Sequence, residues 1–99
     1  MSIEKKKEDS TLTVFLEGKL TNSNVSDIDA SIQESMEGID TLILDFEKLV
    51  YISSAGLRLV LTYYQLLNPN QGKLIIKNAC ENVRDIFYMT GLDHFLLFE

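Results

Sequence analysis

Nine lysines and arginines stand against fifteen aspartates and glutamates, cysteine, proline and histidine occur once each, and tryptophan is absent. Each shortage removes a class of function. A formal net charge of -6 leaves no clustered basic surface for neutralising phosphates, so no nucleic acid is expected as a partner. The one basic cluster, Lys5, Lys6 and Lys7, is flanked by Glu4, Glu8 and Asp9 and reads as a solvated edge or terminus. Cys80 alone cannot form an intramolecular disulfide, and one histidine with scattered carboxylates makes no metal-ligand set. No Gly-rich phosphate loop supports nucleotide binding by the chain itself, and no cofactor is expected. The opening MSIEKKKEDS has no apolar stretch for a signal peptide, and no run approaches the length of a membrane span. The expectation is a soluble, cytoplasmic protein without direct membrane insertion.

What is present is an ordinary globular mixture. Hydrophobic residues make up 45% and charged residues 24% of 99 positions, enough for one core and too few for two, so residues 1–99 are read as a single domain. TLTVFLE at residues 11–17 alternates, with Leu12, Val14 and Leu16 on one face, and predicts a strand buried on one side and broken by Gly18. Val25, Ile28, Ile32 and Met36 recur at helical spacing over residues 22–36, ahead of Gly38. TLILDF at residues 41–46 is a near-continuous apolar run, the signature of a central strand covered on both faces. After it, Leu57, Val60, Leu61, Tyr64 and Leu67 follow helical spacing up to the loop NPNQG. KLIIKN predicts a strand, ENVRDIFYMTG a helix with Val83, Ile86, Phe87 and Met89 inward, and HFLLF a last strand. Alternating helices and strands after a first hairpin make an α/β order with crossovers.

The central question is the junction YISSAGLRLVL, where a strand ending at Ile52 passes through Ser53 and Ser54 into a helix beginning near Ala55. Ser54 falls at the N-cap or just beside it. A serine oxygen there can accept from an unpaired backbone N–H, a contact worth about 1 kcal/mol. The same donors suit an anion, so a phosphate on Ser54 would be tolerated and would add about -1.5 to -2 units of charge at a surface corner. Gly56 in the first turn costs about 1 kcal/mol against alanine, which makes sense where another protein or a loop comes close. A hydrolase nucleophile needs an oriented base. His94 is the only histidine, it stands before the last strand, and the G-x-S-x-G spacing is missing.

LILDFEKLVYISSAGLRLVL resembles the signature of the STAS domain, the fold of bacterial anti-sigma factor antagonists. VFLEGKLT and NVRDIFYMTGLDHFLLFE resemble the same family's second strand and late helix, so the likeness runs from about Thr11 to Glu99. It implies a single STAS-like domain, a mixed four- to five-stranded sheet with about three helices packed on it. In phosphorylatable members the modified residue lies between the positions matched by Ser53 and Gly56, two places before the glycine, which is Ser54. The resemblance implies a regulatory binding module and no enzyme: an anti-sigma factor that is also a serine kinase binds the unmodified protein, phosphorylates Ser54 and lets it go. A serine phosphatase acting on the phosphorylated form restores the cycle. Ser53, Ser54, Gly56, Arg58, Thr62, Thr21 and Asn22 are the implied partner-facing residues. Ser53 stands where the family usually has an acid, Thr21 where it often has aspartate, and Arg58 where many members have glycine. Loss of the acid fits a second function, a non-phosphorylated STAS scaffold subunit of an ABC-type membrane transporter.

Overall fold

The computed structural model describes residues 3–99. Strands β1 (Ile3–Glu8), β2 (Thr11–Leu20), β3 (Thr41–Ile52), β4 (Lys73–Lys77) and β5 (Leu97–Phe98) form one sheet in sequence order. Helix α1 (Val25–Gln33) joins β2 to β3, α2 (Ser54–Leu67) joins β3 to β4, and α3 (Glu81–Thr90) joins β4 to β5. The β1–β2 pair is antiparallel and the other pairs are parallel.

Parallel strands need crossovers, and crossovers of one hand that always step in the same direction deliver every helix to the same face. The register shows which residues that face takes. Leu12, Leu42 and Leu74 lie side by side, as do Val14, Leu44, Ile76 and Phe98 in the next row. These rows, Phe98 only in part, are buried with Ile28 and Ile32 of α1, Leu57, Val60 and Tyr63 of α2, and Val83 and Phe87 of α3 in a single cluster. Phe87 packs between Phe46 and Phe98, its ring centroid 6.4 Å from the first and 5.5 Å from the second. The opposite face carries Phe15, Ile43, Ile75 and Leu97 and has no helix over it, so β3 is covered fully on one side and only half-buried on the other.

Several sequence expectations need correction. Gly18 does not end its strand: with φ at +82° it lies between two shifts of register, and β2 continues beside β3 to pair Leu20 with Ile52. The central strand is likewise longer than residues 41–46. The helix expected over 22–36 is shorter, with Met36 in the turn that follows. Tyr63, rather than Tyr64, is the inward ring of α2, because Leu57, Val60, Tyr63 and Leu67 make the buried stripe and the Tyr63 hydroxyl donates to Asp29 Oδ1 of α1 at 2.6 Å. Tyr64 stands one position round the helix, half-buried, with Phe95 at 6.3 Å between ring centroids. Met89 points outward, 75% exposed, since two residues beyond Phe87 turns the side chain off the core. The last strand is only Leu97–Phe98, and His94 belongs to a short 3-10 turn.

The lysine cluster has a structural task. Alternation along β1 sends Lys5 and Lys7 toward the helix side, where their ammonium groups donate to Ser31 O at 2.7 Å and Glu37 O at 2.8 Å. α1 has no basic residue in its own last turn, so this edge strand supplies cations to carbonyls at and beyond the helix end. Lys6 faces the other way and pairs with Glu8 at 2.8 Å.

Candidate functional site

β3 outruns β4. Their pairing stops at Asp45 opposite Lys77, and β3 continues to Ile52 with β2 as its one strand partner, while Asn82 Nδ2 at the start of α3 donates to Val50 O at 3.2 Å. Asp45 marks that parting. Its carboxylate accepts from the backbone N–H of Glu47 at 3.0 Å and from Asn78 Nδ2 at 3.2 and 3.3 Å. The free portion of β3 carries exposed Val50 and Tyr51 and delivers the two serines to the carboxyl edge of the sheet.

At that edge the structure divides the serines' roles. Ser53, not Ser54, is the N-cap: its backbone is extended and its Oγ accepts from the Gly56 N–H at 3.3 Å. The Ser53 N–H donates to Leu20 O at 2.9 Å and its hydroxyl lies 3.3 Å from Asn22 Oδ1, so the cap is held by the end of β2 and by the loop after it. Ser54 is the first residue of α2 and is exposed, and its hydroxyl takes no part in that cap.

The loop is built by its own side chains. The Thr21 N–H donates to Asn24 Oδ1 at 2.9 Å, the Ser23 N–H to Thr21 Oγ1 at 3.2 Å, and Asn24 Nδ2 to Lys19 O at 2.8 Å. Asn24, which the sequence offers with Asn22 and Ser23 as a candidate N-cap of the first helix, occupies the cap position of α1. An asparagine just before an amphipathic helix is an N-cap signal, yet here it braces the loop and makes no side-chain cap to α1. Thr21 is half-buried in this network, whereas Asn22 is exposed and reaches Ser53.

The outward face of α2 carries Ser54, Arg58 and Thr62 at successive turns, and Thr62 Oγ1 donates back to Arg58 O at 2.8 Å. Gly56 does not share that face. It is buried, and a Cβ placed on it would come within 2.6 Å of Ile52 Cγ1 and 2.9 Å of Leu20 Cγ. The close approach it permits is between α2 and the ends of β2 and β3, so Gly56 positions the corner and presents nothing to a partner.

Six of the seven expected site residues, all but Gly56, therefore lie at the surface or in the loop that holds the cap, on one corner and one helix face. Exposed Val50 and Tyr51 extend the corner and were not anticipated, because an apolar pair in a strand read as central carries no mark of exposure. His94 is exposed on the turn before β5, two strands away from β3 in the sheet order. A groove of about 180 Å³ lined by Phe15, Glu17, Asp45 and Lys48 among others includes none of the corner residues. Among the described residues no helix is long and apolar enough to cross a membrane.

Comparison with known proteins places the chain in a family. The family model for the STAS domain matches residues 2–99. BtrV of Bordetella bronchiseptica, a candidate anti-sigma factor antagonist, is 33% identical over 92 residues, which span 92% of this chain and 79% of BtrV. The anti-sigma factor antagonist SpoIIAA in its unphosphorylated form superposes with a TM-score of 0.85 at 27% identity, over 99% of this chain and 88% of that one. Phosphorylated SpoIIAA, a cell fate determinant of Bacillus, superposes with a TM-score of 0.78 at 26% identity, covering 99% and 91%. With the fold matched throughout the described residues and the family model spanning nearly every position, the chain belongs to the STAS domain family.

Proposed function

We propose that the protein is an anti-sigma factor antagonist whose binding to an anti-sigma factor with serine kinase activity is switched by phosphorylation of Ser54. The observation that carries the reading is the division of labour between the serines: Ser53 is spent on the helix cap, and Ser54 beside it presents an exposed hydroxyl. Likeness to relatives that include an antagonist solved in both unphosphorylated and phosphorylated form supports it.

The chemistry belongs to the partner. The γ-phosphoryl group of ATP passes to Ser54 Oγ, the hydroxyl proton goes to a base of the kinase, and ADP leaves. A serine phosphatase reverses the state by hydrolysis, water taking the phosphoryl group and returning the proton to Oγ. This protein supplies a rigid substrate corner. Adding about -1.5 to -2 charges there opposes docking by repulsion and by the cost of desolvating the new group, since the chain already carries -6. Asn22, Ser53, Arg58 and Thr62 flank the hydroxyl and form the polar part of the docking surface.

Incubation with a candidate anti-sigma kinase and ATP, followed by mass-spectrometric mapping, tests the reading directly. Phosphate is expected on Ser54, and Ser54→Asp is expected to weaken kinase binding at least tenfold while the far-UV spectrum stays unchanged. A kinase that binds tightly yet leaves Ser54 unmodified, with equal affinity for Ser54→Asp, would favour the constitutive transporter scaffold.

A further inference from the structure

We propose that Arg58 is the internal counter-ion of a phosphate on Ser54, so that the modified protein carries an ordered phosphoserine–arginine pair along the outer face of α2; the inference rests on the phosphorylation reading above. α2 is SAGLRLVLTYYQLL, and Arg58 is its one charged residue. Ser54 and Arg58 are both exposed, while Gly56, Leu57 and Val60 between and beyond them turn into the core. Residues four apart on a helix have Cβ atoms about 5–6 Å from each other, within easy reach of a phosphate and a guanidinium, and the anion stands N-terminal to the cation, the favoured order. A guanidinium offers two parallel donors to phosphate oxygens.

Among the described residues no side chain engages this cation: the ion pairs are Lys5 with Glu34, Lys6 with Glu8 and Lys77 with Glu99, and none involves Arg58. Arg58 is the fifth residue of α2, one turn in from the terminus that favours negative charge, so an anion on Ser54 would meet both that terminus and this cation. β2, β3, α1 and the start of α3 meet the corner and carry Glu17, Asp45, Glu47, Lys48, Asp29, Glu81, Arg84 and Asp85 besides the two charged residues that flank the corner loop in sequence, Lys19, beside Tyr51 in the β2–β3 register, and Asp27 in the first turn of α1. None of these is on α2, so Arg58 alone is set by helical geometry to face the residue at position 54. The pair would leave the phosphate partly neutralised and fixed in direction, and a partner or phosphatase would meet that composite group rather than a free dianion.

The test installs phosphoserine at position 54 during translation, without any kinase, and follows the second ionisation of the phosphate in the folded protein by ³¹P NMR. Arg58→Gln is expected to raise the apparent pKa by about 0.3 unit or more, and Arg58→Lys to restore part of the difference. Salt at about 1 M should erase most of it. Lys19→Gln is the comparator at the same corner. Superimposable titrations for the parent and Arg58→Gln, or a larger shift from Lys19→Gln, overturn the pairing. A kinase that fails to modify Ser54 overturns the phosphorylation reading instead, so the two failures are seen in different experiments.

Discussion

The starts of α2 and α3 pose the same problem and solve it differently. Each helix follows a parallel strand, and each begins at the carboxyl edge of the sheet, where open α/β sheets tend to place their sites. α2 is capped by a hydroxyl, whereas Cys80 at the N-cap of α3 makes no cap, its sulfur lying 3.6 Å from Leu49 O. The third helical residue is buried Gly56 in α2 and buried Val83 in α3. α3 opens on Glu81, a permanent negative charge suited to the helix dipole, and the first turn of α2 has no acid. One helix start already carries a negative charge and packs a valine against the core. The other is drawn tightly onto the strand ends and left uncharged, so negative charge added at Ser54 changes it most.

Exchanging the third residues should break that contrast most severely. Val83→Gly empties a fully buried site and costs helix propensity, together about 3 kcal/mol. Gly56→Val forces atoms into the space held by Ile52 Cγ1 and Leu20, and a loss of about 2–3 kcal/mol is expected. Urea denaturation of both variants measures it. If Gly56→Val were as stable as the parent, α2 would have room to lift, and the tight corner would not be a fixed platform.

A smaller effect tests the second anchor of α2. Tyr63→Phe removes the bond to Asp29 while keeping the ring, and a loss of about 1 kcal/mol at neutral pH is expected because half-buried Asp29 can rehydrate. Burial first, then Asp29, pushes the Tyr63 pKa upward from the ordinary tyrosine value of about 10. The unfolded chain then gives up this proton at a lower pH than the folded one. Tyr63 therefore makes stability fall as pH rises above about 10, and the phenylalanine variant should show a shallower alkaline decline. Thermal unfolding followed between neutral and strongly alkaline pH distinguishes the two slopes.

The same comparison shows what local sequence can and cannot carry. Strand and helix order from β2 onward was legible because hydrophobic periodicity is local, whereas IEKKKE of β1 is nearly all charged and read only as a solvated edge or terminus. The cap was left open between adjacent serines, since the choice depends on where Leu20 O and Asn22 meet the turn, and those belong to a distant strand and loop. Gly56 advertised a close contact but not its partner: Ile52 is near in sequence, whereas Leu20 arrives only through the β2–β3 register. Tyr63 and Tyr64 are chemically alike, and Asp29, more than thirty residues away, decides between them. The overrun of β3 past β4, which exposes Val50 and Tyr51, is likewise a property of pairing rather than of the strand's own residues.

The finest test concerns the hydroxyls themselves. Ser53→Ala removes the acceptor for the Gly56 N–H and the contact with Asn22, and should cost about 1 kcal/mol. Cys80→Ala, at the equivalent position of α3, removes no cap and should change stability by less than about 0.5 kcal/mol. Ser54→Ala should be equally mild, because the residue is exposed and alanine suits a helix interior. The expected order in urea midpoint is thus Ser53→Ala lowest, with Cys80→Ala and Ser54→Ala near the parent. A large loss at Ser54 with none at Ser53 would mean that the second serine holds the helix, and a hydroxyl already committed to the fold would make a poor acceptor for a reversible phosphate.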